Sequence, residues 1–400
     1  MASDRRDFLR SIGRDGARTA ASLIGAVGAI RKEAGELADE IGDPTSLNQP
    51  PRRRAAEAAL DLPDDAGLVA AGERAPDPAF ASPVRDEEGA IILLDVRALP
   101  AQILERRAES AAAVAAALAV DVVAPGPIRA LIGALALQLA DRSGPAGASG
   151  ARRSAAAAAL RNSAPLSGSL DAELTALMTG APRTGVDLDS AVNSRAAARL
   201  AAHAAQAERL RAAIGDEGAV ATGPGLGATS WGDLAPAHEA IRRSGRSELL
   251  IAAGPSVARG GRTSLGGIDA ADAVRAGLAP TLLADVLLAS RLVRGDIDTL
   301  LLASDLVAAD GSAVVAVGGV ALAVAARAGG ARVILVAPSR DSAAEAHTAP
   351  TDAAALERRI ADSMRSPGTT ATASREAAAG VATEGSRVEV LPAALIDAAP

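Results

Sequence analysis

Residues Asp296 to Ser339 read DIDTLLLASDLVAADGSAVVAVGGVALAVAARAGGARVILVAPS. The apolar run Thr299–Ala303 has the length of a buried strand and stops at the polar pair Ser304-Asp305. Ala309-Asp310-Gly311-Ser312 reads as a turn, and the small residues from 313 to about Ala328 read as a helix closed by Gly329-Gly330. Val333–Ala337 is a second buried strand. Strand, turn, helix and strand in this order make the repeating unit of a parallel α/β sheet. Such sheets bind ligands outside the carboxyl ends of their strands, and Asp305 stands at one of those ends. A carboxylate there can act as a general acid/base or hold a sugar hydroxyl; it can equally cap a helix or a turn.

The same alternation extends upstream. Ala219–Thr222, Leu249–Ala253 and Pro280–Leu283 are short apolar runs, separated by helical patterns near 234–244, 266–276 and 285–294. Residues 215–339 therefore read as a doubly wound, Rossmann-like α/β domain. Residues 340–400 lose the pattern and read as a loose segment with a helix around 352–365 and a last strand at Val388–Leu391. Residues 88–214 read as a mainly helical domain. It holds a strand at Ile91–Leu94, a helix-rich region from Leu99-Pro100, and alanine-dense helices at Ser110–Val123 and Ile128–Leu139. A Gly/Ser/Ala-rich connection over 143–168 carries a helix at 152–161, and a long helix runs from Ala191 to Ile214 and ends at Gly215. The prolines at 44, 50, 51, 63, 76, 78 and 83 make residues 42–87 a linker, with Arg52-Arg53-Arg54 as a solvated basic cluster. In residues 1–41, Phe8, Leu9, Ile12, Leu23, Ile24, Val27 and Ile30 recur at helical spacing, which predicts an amphipathic helix. Asp4-Arg5-Arg6-Asp7-Phe8-Leu9-Arg10 also resembles a twin-arginine export motif. Arg14, Asp15 and Arg18 interrupt that pattern, and Arg31-Lys32-Glu33 stands where a cleavage site belongs, so the helix and a cytoplasmic location are preferred.

Composition narrows the chemistry. The chain has 400 residues, ample for two domains and a sizeable core, but only two Phe, one Trp and no Tyr, so that core is aliphatic. A net charge of −7 gives no general affinity for nucleic acid. The absence of cysteine excludes disulfides, thiolate metal sites and thiol nucleophiles. Three histidines, His203, His238 and His347, argue against a histidine-rich metal site, and no metal is expected. The single lysine, Lys32, argues against Schiff-base chemistry in the sheet domain. No apolar run reaches the ~18 residues of an integral membrane segment.

Two further loops lie at the same sheet edge as Asp305. Gly223-Pro224-Gly225-Leu226-Gly227 follows the first strand of the sheet, and its glycines would let backbone amides approach a phosphate. A plain tight turn explains them equally well, because the spacing matches neither a dinucleotide fingerprint nor a P-loop. Arg259-Gly260-Gly261-Arg262-Thr263 follows the second strand; Arg259 and Arg262 could clamp a phosphate or carboxylate, or form an exposed basic turn. Asp310 reads as a turn former beside Gly311, and His238 as a surface or structural residue.

The order of these motifs resembles the family of methylthioribose-1-phosphate isomerase, ribose-1,5-bisphosphate isomerase and the α, β and δ subunits of initiation factor 2B. The resemblance covers Ile91 to Pro338. It is carried by Ile92-Leu93-Leu94-Asp95 with Leu99-Pro100, the helix entry from Val122 to Leu139, and Pro182-Arg183-Thr184-Gly185-Val186-Asp187-Leu188. It continues through Ala237-His238-Glu239-Ala240, Gly260-Gly261-Arg262-Thr263, the stretch Leu302 to Gly311, and Val333 to Pro338. The resemblance implies a helical N-terminal domain followed by a Rossmann-like parallel-sheet domain, and a homodimer. For the isomerases it implies a sugar phosphate held between the domains, with a Cys and an Asp moving the proton or hydride between C1 and C2. The Asp carries over as Asp305. The Cys position falls near Ala219–Gly223 and is lost, and polar family positions fall on Ala124, Pro182, Gly254 and Val315-Ala316. Arg183 stands beside one of them.

The expectation is thus a degenerate member of this family. It would bind a sugar phosphate, a nucleotide or a protein partner without turnover, with no cofactor and no nucleic acid. The alternative is an active aldose–ketose sugar-phosphate isomerase with Asp305 as its catalytic residue. In either case Arg183, Gly223, Gly225, Gly227, Arg259 and Arg262 would form the ligand site.

Overall fold

A computed structural model of the chain describes residues 68–73, 84–87, 89–98, 104–123, 126–144, 148–184, 187–225, 235–255, 264–337, 349–365 and 388–399. The chain divides into two units at Leu62/Pro63, and all of these residues belong to the second. The expected N-terminal helix and the basic cluster Arg52-Arg53-Arg54 lie outside the described residues.

The N-terminal strands are β1 (Leu68–Glu73), β2 (Val84–Glu87), β3 (Ala90–Leu94) and β4 (Leu104–Ala108). They form an antiparallel sheet in the order β1-β4-β3-β2. β3 is buried along its whole length, as its apolar run predicts. β1 and β2 correct the reading of their stretches as linker, and β4 occupies ground read as the start of a helix-rich region. Polar β2 and β4 escape a hydrophobic-pattern reading because cross-strand ion pairs help hold them. Arg85 donates to Glu105 at 3.0 Å, and Arg107 pairs with Glu87 at 2.9 Å.

Five helices follow: α1 (Ala111–Ala119), α2 (Ile128–Arg142), α3 (Ser149–Ser163), α4 (Gly168–Thr184) and α5 (Leu188–Ile214). Ser110 caps α1 by accepting from the Ala113 amide, and Asp187 caps α5 by accepting from the Ser190 amide. Leu118, Ile132, Leu137, Leu160, Leu170 and Leu174 make their common core. α3 fills most of the stretch read as a Gly/Ser/Ala-rich connection.

The second half contains β5 (Val220–Thr222), α6 (Ala235–Arg243), β6 (Glu248–Ala252), α7 (Leu265–Arg275), β7 (Ala279–Leu283), α8 (Asp285–Val293) and β8 (Thr299–Ala303). Next come β9 (Leu306–Val307), β10 (Ala313–Ala316), α9 (Gly319–Gly329), β11 (Arg332–Val336), α10 (Ala353–Arg365) and β12 (Val388–Leu391). The five-stranded sheet is parallel throughout and ordered β11-β8-β5-β6-β7. On one face, Leu288 and Leu292 of α8 and Leu322 and Ala326 of α9 pack on Leu300, Leu302, Val333 and Leu335. On the other, Leu210 and Ile214 of α5, Ala237 and Ile241 of α6 and Ala273 of α7 pack on Val220, Leu249, Ile251, Leu301, Ile334 and Val336. Burial on both faces is why the central strands read as unbroken apolar runs.

One element differs from expectation inside the deciding stretch. Ala313–Ala316 is a strand, and the helix begins only at Gly319, after Gly318 with φ 95°. β10 pairs antiparallel with β9 on one side and β12 on the other. A run of four apolar residues fits a strand or a helix equally well, and its pairing partners decide which forms.

Candidate functional site

The chain enters the parallel sheet at β5, moves outward through β6 and β7, then returns to the other side of β5 for β8 and β11. The order reverses between β5 and β8. In an open α/β sheet the ligand crevice lies at the carboxyl ends of the two strands flanking such a reversal. Here those ends are Thr222-Gly223-Pro224-Gly225 and Ser304-Asp305.

Asp305 is 6% exposed. Its Oδ2 accepts from the Ser167 hydroxyl at 2.7 Å and its Oδ1 from the Ser169 amide at 3.3 Å. Ser167 immediately precedes α4, and the Ser169 amide is one of the unpaired donors of that helix's first turn. Asp305 therefore caps α4 from across the fold, where a carboxylate also meets the positive end of the helix dipole. The approach is close: a Cβ at Gly168 would lie 2.4 Å from the Asp305 carbonyl oxygen. Burial raises the Asp305 carboxyl to about 6, against the opposing pull of the Ser169 and Ser167 hydroxyls, the Ser169 amide and the Arg129 charge. The Ser169 hydroxyl itself is buried and closes no hydrogen bond of good geometry. Ser304 pins the turn: its amide donates to Val336 O at 2.9 Å and its hydroxyl to Leu306 O at 3.0 Å.

Arg129 is the cation that sequence reading missed. It is buried in the first turn of α2, where it donates to Asp121 and to the Val123 carbonyl, each at 2.8 Å. A lone arginine in the otherwise apolar run IRALIGALAL was the available signal. The serines flanking Gly168 were likewise visible, as an N-cap pattern before a helix.

Asp310 behaves as the turn reading predicts and does more. Its Oδ1 accepts from the Ser312 amide at 2.8 Å, and its Oδ2 accepts from the Ala353 amide at 3.2 Å, which caps α10. The Ser312 amide holds its carboxyl below the usual range.

At the end of β5, the Thr222 hydroxyl is buried without a hydrogen-bond partner. Gly223 lies so close to β8 that a Cβ would sit 2.3 Å from Leu302 Cδ2. The Gly225 amide donates to Asp269 Oδ2 of α7 at 2.7 Å. Burial pushes the Asp269 carboxyl well above its usual range, against the Gly225 amide, and the Asp272 charge adds to the rise. One turn along α7, Asp272 meets His238 Nδ1 of α6 at 2.7 Å. Burial pushes Asp272 up, but the bond to and charge of His238, with Arg275, more than offset it and hold the carboxyl below normal. His238 is thus a buried link between α6 and α7, and of the surface and structural positions open to it in sequence it takes the buried one.

The structure brings Asp305, Gly223 and Gly225 to one edge on neighbouring strands. Arg183 lies near the far end of α4, about 22 Å along the helix axis from the turn that meets Asp305. Its side chain lies outside the described residues, as do Gly227, Arg259 and Arg262. No group of three or more His, Cys, Asp or Glu suited to a metal ion occurs among the described residues.

No protein-family model matches the chain, and no curated protein matches it in sequence. Solved structures do match in shape. The 5-methylthioribose 1-phosphate isomerase of Pyrococcus horikoshii OT3 superposes with a TM-score of 0.58 at 17% identity, covering 80% of this chain and 90% of that one. The delta subunit of translation initiation factor eIF-2B from A. fulgidus superposes with a TM-score of 0.55 at 15% identity, covering 79% and 93%. The chain therefore has the α/β fold that methylthioribose-1-phosphate isomerase shares with the initiation factor 2B delta subunit, as its motif order anticipates.

Proposed function

We propose that this protein uses the isomerase-like fold as a binding subunit and does not isomerise sugar phosphates. The observation that carries this reading is the engagement of both Asp305 carboxylate oxygens by Ser167 and Ser169 at the N-terminus of α4. Each oxygen of this carboxylate accepts a bond that holds the helical layer to the sheet, which fixes its orientation to the helix terminus. The lack of any cysteine supports the same reading, since the family resemblance places a thiol opposite this aspartate. Of the occupants expected from the sequence, a protein partner is favoured over a sugar phosphate or nucleotide. The Gly225 amide, the candidate phosphate donor described here, is already taken by Asp269. The protein works as a homodimer in the cytoplasm on this reading; among the described residues no helix is long and apolar enough to cross a membrane.

The alternative, an active aldose–ketose isomerase, draws support from an Asp305 carboxyl at about 6 and from the unpartnered Thr222 hydroxyl on the adjacent strand. Proton NMR of methylthioribose 1-phosphate and of ribose 1,5-bisphosphate incubated with the purified full-length chain decides between them. We expect no conversion of either and no rise in melting temperature. Conversion that disappears in Asp305→Asn overturns the binding-subunit reading.

A further inference from the structure

Of the helices after β5, α6 to α9 pack on the parallel sheet. α10 does not. Leu356, Ile360 and Ser363 recur at helical spacing and form its buried stripe, while Ala354, Glu357, Arg358, Ala361 and Asp362 are exposed. Leu356 and Ile360 join Leu306 of β9, Ala308 and Val314 of β10 in a small core apart from the others. Those five residues are its whole buried part among the described residues, with Leu166, Val388 and Val390 packed at its margin. A helix resting on so small a satellite core belongs to the low-stability end of a fold.

What this helix bears on is the N-terminus of α4. Leu306, against which its stripe packs, directly follows Asp305, and a Cβ at Gly168 would lie 3.1 Å from Leu306 Cδ1. Arg359 donates to Pro165 O at 2.7 Å and lies 3.8 Å from Asp171 in the first turn of α4. The start of α10 is fastened to the turn that carries Asp305. There the Ala309 amide donates to Pro350 O at 2.8 Å, and Asp310 accepts from the Ala353 amide at 3.2 Å. α10 therefore holds both sides of one joint: the turn after β8, and the segment that presents Ser167 and Ser169 to it.

We infer that α10 is a strap across the Asp305–α4 joint, and that its release frees the first turn of α4 in one local step while the parallel sheet stays folded. The strap deepens the binding-subunit reading, on which it rests for what the edge receives, by naming what gates that edge. With α10 in place, the Ser167 hydroxyl, the Ser169 amide and the Asp305 carboxylate satisfy one another. With α10 released, the same three groups become donors and acceptors open at the carboxyl ends of β5 and β8, for an incoming partner to pair with. The core under α10 shares no buried residue with the two cores of the parallel sheet, so release requires no repacking there.

The chain contains no cysteine, so Ser169→Cys places a single thiol at the joint. The Ser169 hydroxyl closes no hydrogen bond of good geometry, and the variant keeps the amide that Asp305 accepts. Labelling of this full-length variant with a chromogenic disulfide reagent at about pH 8 reads how often the joint opens. Leu356→Ala should speed labelling about 30-fold or more, and Arg359→Ala about tenfold. Leu288→Ala, which cuts the parallel-sheet core instead, should leave the rate unchanged. Equal acceleration in Leu288→Ala would mean that only global unfolding reaches the thiol, and it overturns the strap. Unchanged labelling in both probes overturns it too, as does a thiol that reacts like a free cysteine before any probe is added. No sugar phosphate enters this assay, so failure here and failure of the non-isomerising reading are told apart.

Discussion

Replacing Asp305 by Asn tests whether this aspartate is buried at the N-terminus of α4, because it separates the charge of the side chain from its shape. Asn keeps an oxygen to accept from the Ser169 amide, and its Nδ2 can donate to the Ser167 hydroxyl, which then serves as acceptor. The wild-type carboxyl titrates near 6 in the folded chain, against 3.8 for the model carboxyl, with burial as the principal cause. A folded pKa above the unfolded one means that the native state binds the proton more tightly. Stability from this group is therefore fully present below about pH 4 and is lost as pH rises toward 6. Two pH units at about 1.4 kcal/mol each make this loss about 3 kcal/mol. Asn does not ionise, so the stability of Asp305→Asn relative to wild type should rise by about 2.4 kcal/mol between pH 4 and pH 7.5, the rest of the change falling below pH 4. Urea unfolding at a series of fixed pH values measures both proteins, and taking the difference removes every other titrating group. Parallel stability–pH curves for the two proteins would refute the reasoning, for they would mean that Asp305 faces water with an ordinary carboxyl and is not buried against the N-terminus of α4.

Two other substitutions probe the same edge. Gly168→Ala should lose between about 1 and 3 kcal/mol in urea unfolding even though alanine is the better helix former, because its Cβ meets the Asp305 carbonyl; a gain in stability would show that α4 does not dock as described. Asp269→Asn keeps an acceptor for the Gly225 amide and removes a buried carboxyl whose folded pKa is raised, so it should gain on wild type as pH rises from 4 to 8. A melting-temperature difference that stays constant across that range would count against a buried carboxyl held above its usual range.

The parallel sheet was legible in sequence because its central strands are buried on both faces and its helices are bounded by glycine and N-cap residues. Thr299–Ala303 is the clearest example, with all five residues buried. The antiparallel additions were not legible. β2 carries Arg-Asp-Glu and relies on Arg107 and Glu105 of β4, partners twenty residues away that no local pattern reveals. β10 reads as the start of a helix, and its full-length pairing is with β12, over seventy residues further on, while nearby β9 pairs with only half of it. At the site, sequence placed Asp305 at the correct strand end, because strand length and the following polar pair are local. It left open whether that carboxylate caps or catalyses, since the answer depends on Ser167 and Ser169 in a different part of the chain.

The turn between β8 and β10 offers two carboxylates, and each serves the N-terminus of a helix from elsewhere: Asp305 that of α4, Asp310 that of α10. The two helices are tied to each other as well, since Arg359 of α10 donates to Pro165 O just before α4 at 2.7 Å. A strand end that opens a ligand crevice in other α/β sheets thus serves here as a clamp for two helices. The two uses conflict. Freeing Asp305 for a substrate would leave the Ser167 hydroxyl and the Ser169 amide of a buried helix end unpaired, at about 1–3 kcal/mol for each neutral group. A ligand entering this crevice must replace those bonds with its own or bind elsewhere, and that favours an outer surface of the fold as the place where this protein meets its partners.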